Sequence, residues 1–175
     1  MTGTLSVQKI QGLATSATPT VVEIASGHKL SGAAGSIVAP GHVIQVQTQS
    51  IDTQSQITST SFVTTNMSVN ITPKFSSSLI FITSCINLYK NAAGTNVWLT
   101  IYKDSTNLGH STYGMGEFSG LGAAGGQFAQ VQINNSPSTT SQVTYAVYTR
   151  VTNGGNVYIQ SNNCLGNITA MEIAQ

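Results

Sequence analysis

The stretch Met67-Ser68-Val69-Asn70-Ile71-Thr72 changes between apolar and polar residues at every step. The same period of two returns in His42-Val43-Ile44-Gln45-Val46-Gln47-Thr48, where valine and glutamine alternate. Successive side chains of a strand point to opposite faces of a sheet. Each stretch therefore predicts a β-strand with one buried and one solvated face.

The rest of the chain repeats this pattern. Helix-favouring Glu, Lys and Arg are scarce, whereas Val, Ile and Thr recur in short runs separated by Gly, Asn, Ser and Pro. About eight strands over residues 42–175 predict an all-β fold, an antiparallel β-sandwich of jelly-roll type, with a closed small barrel as the alternative. The further strands are predicted at residues 79–89, 96–103, 127–133, 143–151, 156–160 and 167–173.

Composition excludes several classes of function. Only 6% of the 175 residues are charged, whereas roughly 25% are charged in an ordinary soluble domain. The net charge is +1. The six basic residues occur singly and form no stripe that would neutralise phosphates, so no nucleic-acid partner is predicted. No apolar run approaches the ~20 residues of a membrane span, and the first residues lack the pattern of a signal peptide.

Residues 1–40 differ from the remainder and are predicted to form an extended attachment and oligomerisation arm, with the sandwich domain at 41–175. The segment holds no aromatic residue, and its aliphatic residues are too dispersed to enclose a core. We expect partner chains to order it; the alternative is one more strand of the sandwich. The predicted arm contacts are Leu5, Val7, Ile10, Val21, Val22, Ile24 and Leu30.

A glycine-rich stretch at residues 110–126 predicts an exposed loop at one end of the sandwich. Its three rings, His110, Tyr113 and Phe118, are the candidate ligand contacts. Trp98 and Tyr145 lie on predicted strands instead and are expected in the core.

No catalytic, cofactor-binding or metal-binding residue is predicted. The five carboxylates show no paired spacing, and the three histidines lack partners at metal-ligand spacing. Residues 120–125 (GLGAAG) match GxGxxG, but a strand-like segment follows, with no acidic residue about 20 positions on. We therefore treat that match as accidental.

The order of segments carries a family resemblance. Residues 3–10 (GTLSVQKI), 24–30 (IASGHKL) and 39–45 (APGHVIQ) open the chain. Residues 67–73 (MSVNITP), 101–109 (IYKDSTNLG) and 168–173 (ITAMEI) continue it. This series resembles virion fibre proteins of tailed bacteriophages, in particular short tail-fibre or appendage proteins of marine and cyanobacterial phages. The resemblance implies a homotrimer with a slender attachment part and a β-rich distal part, assembled in the bacterial host cytoplasm.

The leading hypothesis is a non-enzymatic virion protein that docks to other virion proteins through residues 1–40. Host surface glycans are candidate ligands of its neutral, hydroxyl- and amide-rich surface. The alternatives are a head fibre or capsid decoration protein, a polysaccharide depolymerase with two carboxylates about 5–10 Å apart, and a monomeric carbohydrate-binding module.

Overall fold

A computed structural model of the chain describes residues 26–27, 29, 31–32, 37–91, 94–119, 125–152 and 155–175. The chain divides into two units, Met1–Ala33 and Ala34–Gln175. The described residues of the first unit are all exposed. The seven predicted arm contacts, Leu5, Val7, Ile10, Val21, Val22, Ile24 and Leu30, lie outside the described residues. The arm and its boundary at residue 40 therefore stay predictions.

The second unit is built from strands. Its one described helical element, η1, is a single 3₁₀ turn at Ser161–Asn163, and the described residues include no helix that could cross a membrane. The strands are β1 (Val43–Ile51), β2 (Ser55–Ile57), β3 (Val63–Ile71), β4 (Leu79–Lys90), β5 (Val97–Lys103), β6 (Thr106–Asn107), β7 (Gly116–Phe118), β8 (Gly125–Asn135), β9 (Val143–Val151), β10 (Val157–Ile159) and β11 (Gly166–Ile173).

These strands form two antiparallel sheets with eight positions. In the first sheet β11 pairs with β1 and β10 pairs with β2; both β11 and β10 then pair with one edge of β4, and β8 pairs with the other edge. In the second sheet the order is β3, β9, β5, and the far edge of β5 pairs with β6 at Tyr102–Lys103 and with β7 at Val97–Leu99. Three positions hold two strands each: β1 with β2, β6 with β7, and β10 with β11. Numbered along the chain, the eight positions are arranged first, eighth, third, sixth in the first sheet and second, seventh, fourth, fifth in the second sheet. This is the jelly-roll connectivity, which confirms the predicted fold class.

The core lies between the two sheets and follows the alternation of the strands. Every second residue of β4 and β9 is buried, with Ala146 of β9 buried as well, whereas all of Val97–Ile101 in β5 are buried. Large side chains with less than 2% exposure fill this space, among them Met67, Ile71, Ile80, Ile82, Ile86, Leu99, Ile101, Tyr145, Ile159 and Ile168. Burial of apolar area on this scale is the main stabilising term of the fold.

Three sequence-based expectations need correction. β1 lacks the predicted buried face, since none of its residues is buried and Val43 and Val46 are 53% and 50% exposed. The stretch 110–126 is not a continuous loop, because Gly116–Phe118 forms β7 and pairs with Val97–Leu99 of β5. Trp98 is only 6% exposed, as expected of a core residue, but it is absent from the core cluster and occupies an outward position of β5. Tyr145 does lie in the core.

Glu172 fastens the end of the sandwich where the chain enters β1. Its carboxylate is fully buried and accepts hydrogen bonds from Gln45 Nε2 (2.5 Å), Lys74 N (2.7 Å), Phe75 N (3.3 Å) and Ser78 Oγ (2.7 Å). Burial alone raises the pKa of Glu172, but these hydrogen bonds outweigh it and leave the pKa below its ordinary value. The carboxylate thus ties the β3–β4 connection to the first sheet.

Candidate functional site

The outer face of the second sheet carries aromatic and cationic side chains where a solvated face would carry small polar ones. Val97, Leu99 and Ile101 point into the core, so the alternation of β5 turns Trp98 and Tyr102 outward. The alternation of β9 turns Tyr148 and Arg150 to the same side, and Trp98 is the paired neighbour of Arg150. The register therefore gathers three aromatic rings and one guanidinium on one surface.

Arg150 is held in place from three sides. Its Nε donates to the carbonyl oxygen of Thr112 at 2.8 Å, and its Nη1 donates to the carbonyl oxygen of Thr60 at 3.0 Å. The guanidinium lies over the Trp98 ring, 4.2 Å from its centroid, and 5.7 Å from the centroid of Phe62. Both are cation–π distances. Through its hydrogen bonds to Thr112 and Thr60 and its contact with Trp98, Arg150 joins two loops to the sheet beneath it.

The first of these loops, residues 107–115, is stiffened by its own hydrogen bonds. Asn107 Oδ1 accepts from Thr100 Oγ1 (2.6 Å) and from the backbone N–H of Gly109 (2.9 Å). His110 and Gly114 exchange both backbone hydrogen bonds, at 3.0 and 2.8 Å. Gly114 has φ of +64°, and a Cβ on it would collide with the backbone oxygen of Leu99. Glycine is required there, because the loop lies against the sheet.

His110 also organises this loop through its side chain. Its Nδ1 accepts the backbone N–H groups of Thr112 and Tyr113, both at 3.1 Å. The ring proton therefore sits on Nε2. The imidazole stacks against the Tyr113 ring with centroids 5.1 Å apart.

The second loop, residues 58–62, is fastened at its base. The carbonyl of Ser59 accepts the backbone N–H of Val151 at 2.9 Å, and its hydroxyl donates to the carbonyl of Ser61 at 2.7 Å. Phe62 at its end packs edge-on against Tyr102, with centroids 6.5 Å apart.

An open pocket of about 350 Å³ lies between the two loops, within the size range of small-ligand sites. Aromatic rings and hydroxyl groups line it around a single charged side chain. The lining residues are Thr60, Ser61, Phe62, Tyr102, Ser111, Thr112 and Arg150.

Tyr102 lines this pocket, and its hydroxyl is protonated at neutral pH. Burial, together with the neighbouring Tyr148 phenol, raises the pKa of Tyr102. The two rings stack with centroids 3.9 Å apart. At neutral pH the Tyr102 hydroxyl can therefore both donate and accept a hydrogen bond.

The structure separates the three ring residues proposed as ligand contacts from the sequence. His110 and Tyr113 meet on the 107–115 loop beside the pocket, and Tyr113 is 58% exposed. Phe118 is half-buried, pairs with Val97 and packs against the core cluster. Ligand contact by His110, Tyr113 and Phe118 stays a prediction.

The residues that line the pocket were not predicted from the sequence. Phe62 and Arg150 carried no motif, and Tyr102 was not distinguished from the other tyrosines. One available signal was overlooked. The alternation of β5 and β9 assigns Trp98, Tyr102, Tyr148 and Arg150 to the solvent side, where three aromatic residues are unexpected without a loop or ligand to cover them.

The carboxylates of the described residues occupy four separate elements. Asp52 follows β1, Asp104 accepts the backbone N–H of Thr144 in a turn, Glu117 lies on β7, and Glu172 is buried in β11. In the ranges that the structure describes, no three His, Cys, Asp or Glu side chains group as metal ligands.

No family model and no curated protein matches the chain. A mutant VP2 protein of infectious bursal disease virus, in derived T=1 particles, is similar at 14% identity with a TM-score of 0.40, over 83% of this chain and 41% of that one. The structure of the Gt strain of infectious bursal disease virus is similar at 14% identity with a TM-score of 0.33, over 90% of this chain and 45% of that one. The chain spans less than half of either viral chain, and similarity at this level carries no inference about function.

Proposed function

We propose that this chain is a non-enzymatic structural protein of a virion, a short trimeric tail fibre or appendage of a tailed bacteriophage. In this proposal residues 1–40 dock it to other virion proteins, and the jelly-roll sandwich contacts glycans on the host surface. The segment resemblance to phage fibre proteins supports the virion assignment. The jelly roll is also an architecture that capsid and lectin domains share, which is support by analogy only.

The layout of the sandwich fits an attachment role. The chain enters the sandwich at Gly41, whose backbone N–H donates to Ala174, and β1 begins at the end where Val43 pairs with Ile173. Arg150 lies next to the Val97–Val151 pair, which closes the opposite end of the second sheet. Within the sandwich, the point of chain entry at Gly41 and the pocket around Arg150 therefore lie at opposite ends.

The pocket is the observation that carries the glycan-binding part of the proposal. Saccharides present C–H faces that pack on aromatic rings and hydroxyls that exchange hydrogen bonds. Phe62 and Tyr102 supply the rings, and Ser61, Ser111 and Thr112 supply polar groups beside them. The two loops are fixed before any ligand binds, so little conformational entropy is lost on binding.

A glycan array probed with the full-length chain tests this part. We expect binding to a defined set of saccharides, reduced at least tenfold by Phe62→Ala or Tyr102→Ala. The matched control is Phe128→Ala, which removes an aromatic ring that is 64% exposed on β8 of the other sheet. Binding that survives Phe62→Ala and is lost in Phe128→Ala would contradict a site in this pocket. Binding to no saccharide would favour a head fibre or capsid decoration protein.

Native mass spectrometry of the full chain tests the assembly part. We expect three copies, and dissociation of the trimer when Leu5, Val7 and Ile10 are all changed to serine. A monomer at micromolar concentration would contradict the fibre proposal and favour a carbohydrate-binding module.

A further inference from the structure

Building on the proposed glycan contact, we propose that Arg150 makes the pocket selective for saccharides that carry a carboxylate. Uronic acids and 3-deoxy-ulosonic acids are two sugar classes that carry this group. The pocket would then distinguish an acidic saccharide from its neutral counterpart by one ion pair.

The first observation is that Arg150 has no anionic partner in the described part of the chain. Neither Asp104 nor Glu117, nor any other described carboxylate, forms an ion pair with it. Its two hydrogen bonds go to neutral carbonyl oxygens. An unpaired cation in a half-buried position has its charge available to a ligand anion, and partial desolvation strengthens that attraction.

The second observation is that donors remain on the side chain. A guanidinium has five N–H hydrogens, and the bonds to Thr112 and Thr60 use two of them. Among the described residues, Nη2 has no hydrogen-bond partner and is not one of the buried unsatisfied atoms. Nη1 and Nη2 therefore have hydrogens left for the two oxygens of a carboxylate, the geometry in which arginine binds this group best.

The third observation is that the guanidinium is already oriented. The Trp98 ring below it and the two loop carbonyls fix its plane. A lysine at this position would keep the charge but could not hold both loops or offer a planar pair of donors. Selectivity should therefore depend on the shape of the group as well as on its charge.

The fourth observation is that Arg150 is the one charged residue in the pocket lining. The hydroxyls of Ser61, Ser111 and Tyr102 donate and accept, so they serve neutral and acidic sugars alike. Discrimination between the two must then come from Arg150.

The test compares each acidic probe with its own carboxyl-reduced form. One arm uses tetragalacturonate and the tetrasaccharide made by reducing its carboxyl groups. The second arm uses a 3-deoxy-octulosonate disaccharide and its reduced form, so the arms separate capsular uronates from lipopolysaccharide core sugars. Binding to the full-length chain is followed by calorimetry and by the fluorescence of Trp98, the single tryptophan of the chain, which lies under Arg150.

We expect at least one acidic probe to bind ten times more tightly than its reduced form. Arg150→Gln should bind the acidic and reduced forms equally, and Arg150→Lys should retain only a two- to threefold preference. Lys74→Gln removes one positive charge at the other end of the sandwich and should leave the preference unchanged. The comparison of ligands on the unaltered chain needs no variant, so it holds even if an Arg150 variant folds poorly.

The outcomes separate the two proposals. Equal binding of acidic and reduced forms overturns the selectivity inference and leaves glycan binding intact. A preference that survives in Arg150→Gln also overturns it. Absence of binding to either acidic probe overturns it as well. Glycan binding itself fails only if the array, which includes neutral saccharides, is also silent.

Discussion

Glu172 and Arg150 both fasten loops to the sandwich, yet they differ in how far their hydrogen-bonding capacity is used. Glu172 is fully buried and takes four hydrogen bonds, two of them from the backbone N–H groups of Lys74 and Phe75. Arg150 is half-buried, gives two hydrogen bonds, and faces a pocket of about 350 Å³.

The difference indicates different roles for the two charges. A buried charge whose two oxygens both accept hydrogen bonds from the protein contributes to the fold and offers nothing to a ligand. A charge with unused donors at the edge of a pocket contributes less to folding and keeps its capacity for binding. Loss of Glu172 should therefore reduce stability, whereas loss of Arg150 should mainly change ligand preference.

The largest effect is expected from Glu172→Ala. The substitution leaves two backbone N–H groups and the Ser78 hydroxyl without their acceptor at a buried site. We expect the free energy of unfolding to fall by about 3 kcal/mol, measured by urea denaturation.

The matched control for that variant is Glu117→Ala, which removes an exposed carboxylate on β7. Its unfolding free energy should change by less than about 0.5 kcal/mol. Equal losses in the two variants would show that the network around Glu172 adds no stability, and would remove the contrast with Arg150.

Gly114→Ala tests the loop that positions Arg150. Alanine at φ of +64° is strained, and its Cβ would collide with the backbone oxygen of Leu99. We expect a loss of about 2 kcal/mol in unfolding free energy and at least tenfold weaker glycan binding, because the loop carrying Ser111 and Thr112 must move.

Gly116→Ala, two residues away, is the control for this variant. A Cβ there meets only the Phe118 ring, at 3.7 Å, which is ordinary contact. Its stability and binding should stay close to those of the unaltered chain. If Gly114→Ala also leaves binding unchanged, the 107–115 loop is not part of the site.

The pH dependence of stability isolates the charge of Glu172. Its pKa is lower in the folded chain than the ordinary value of 4.5, so the unfolded state binds the proton more tightly. The stabilisation is complete above pH 4.5 and is lost as pH falls through the lower, folded pKa. Unfolding free energy should then fall by at most about 1.4 kcal/mol per pH unit from this one proton.

Glu172→Gln tests the assignment of that proton. The variant should show a flatter decline in the urea midpoint between pH 5 and pH 3 than the unaltered chain, whereas Glu117→Gln should keep the original slope. An identical slope in Glu172→Gln would assign the acid sensitivity to other carboxylates.

The sheet fold could be predicted from sequence because burial follows a period of two. Met67, Val69 and Ile71 are buried as the alternation requires. The eight strands predicted from sequence fill seven of the eight observed positions, because residues 156–160 and 167–173 share one position. The short β2, β6 and β7 were missed, since two or three residues are too few to show a period. Such short strands form because they pair with the edge of a neighbouring strand.

The pocket could not be predicted in the same way, because its parts are distant in sequence. Phe62 and Arg150 are brought together by the pairing of β3 with β9, and the 107–115 loop reaches them only by folding onto the sheet. Register and loop placement depend on the whole sandwich. Sequence reasoning selected His110 and Tyr113 as rings in an exposed loop, and the structure puts both on the 107–115 loop beside the pocket, but their contact with a ligand stays a prediction.

The smallest effect is expected from Tyr113→Ala, and it determines how far the Arg150 site extends. Tyr113 is 58% exposed, stacks on His110 and lies 6.4 Å from the Trp98 centroid. Its loss should lower the unfolding free energy by about 0.5 kcal/mol, since little buried area is involved. If its ring contacts the saccharide, glycan affinity should fall about fivefold, equivalent to about 1 kcal/mol. Tyr113→Phe keeps the ring and should keep most of that affinity. Unchanged affinity in Tyr113→Ala would confine the site to the pocket lining around Arg150 and make the sequence-based assignment of Tyr113 wrong.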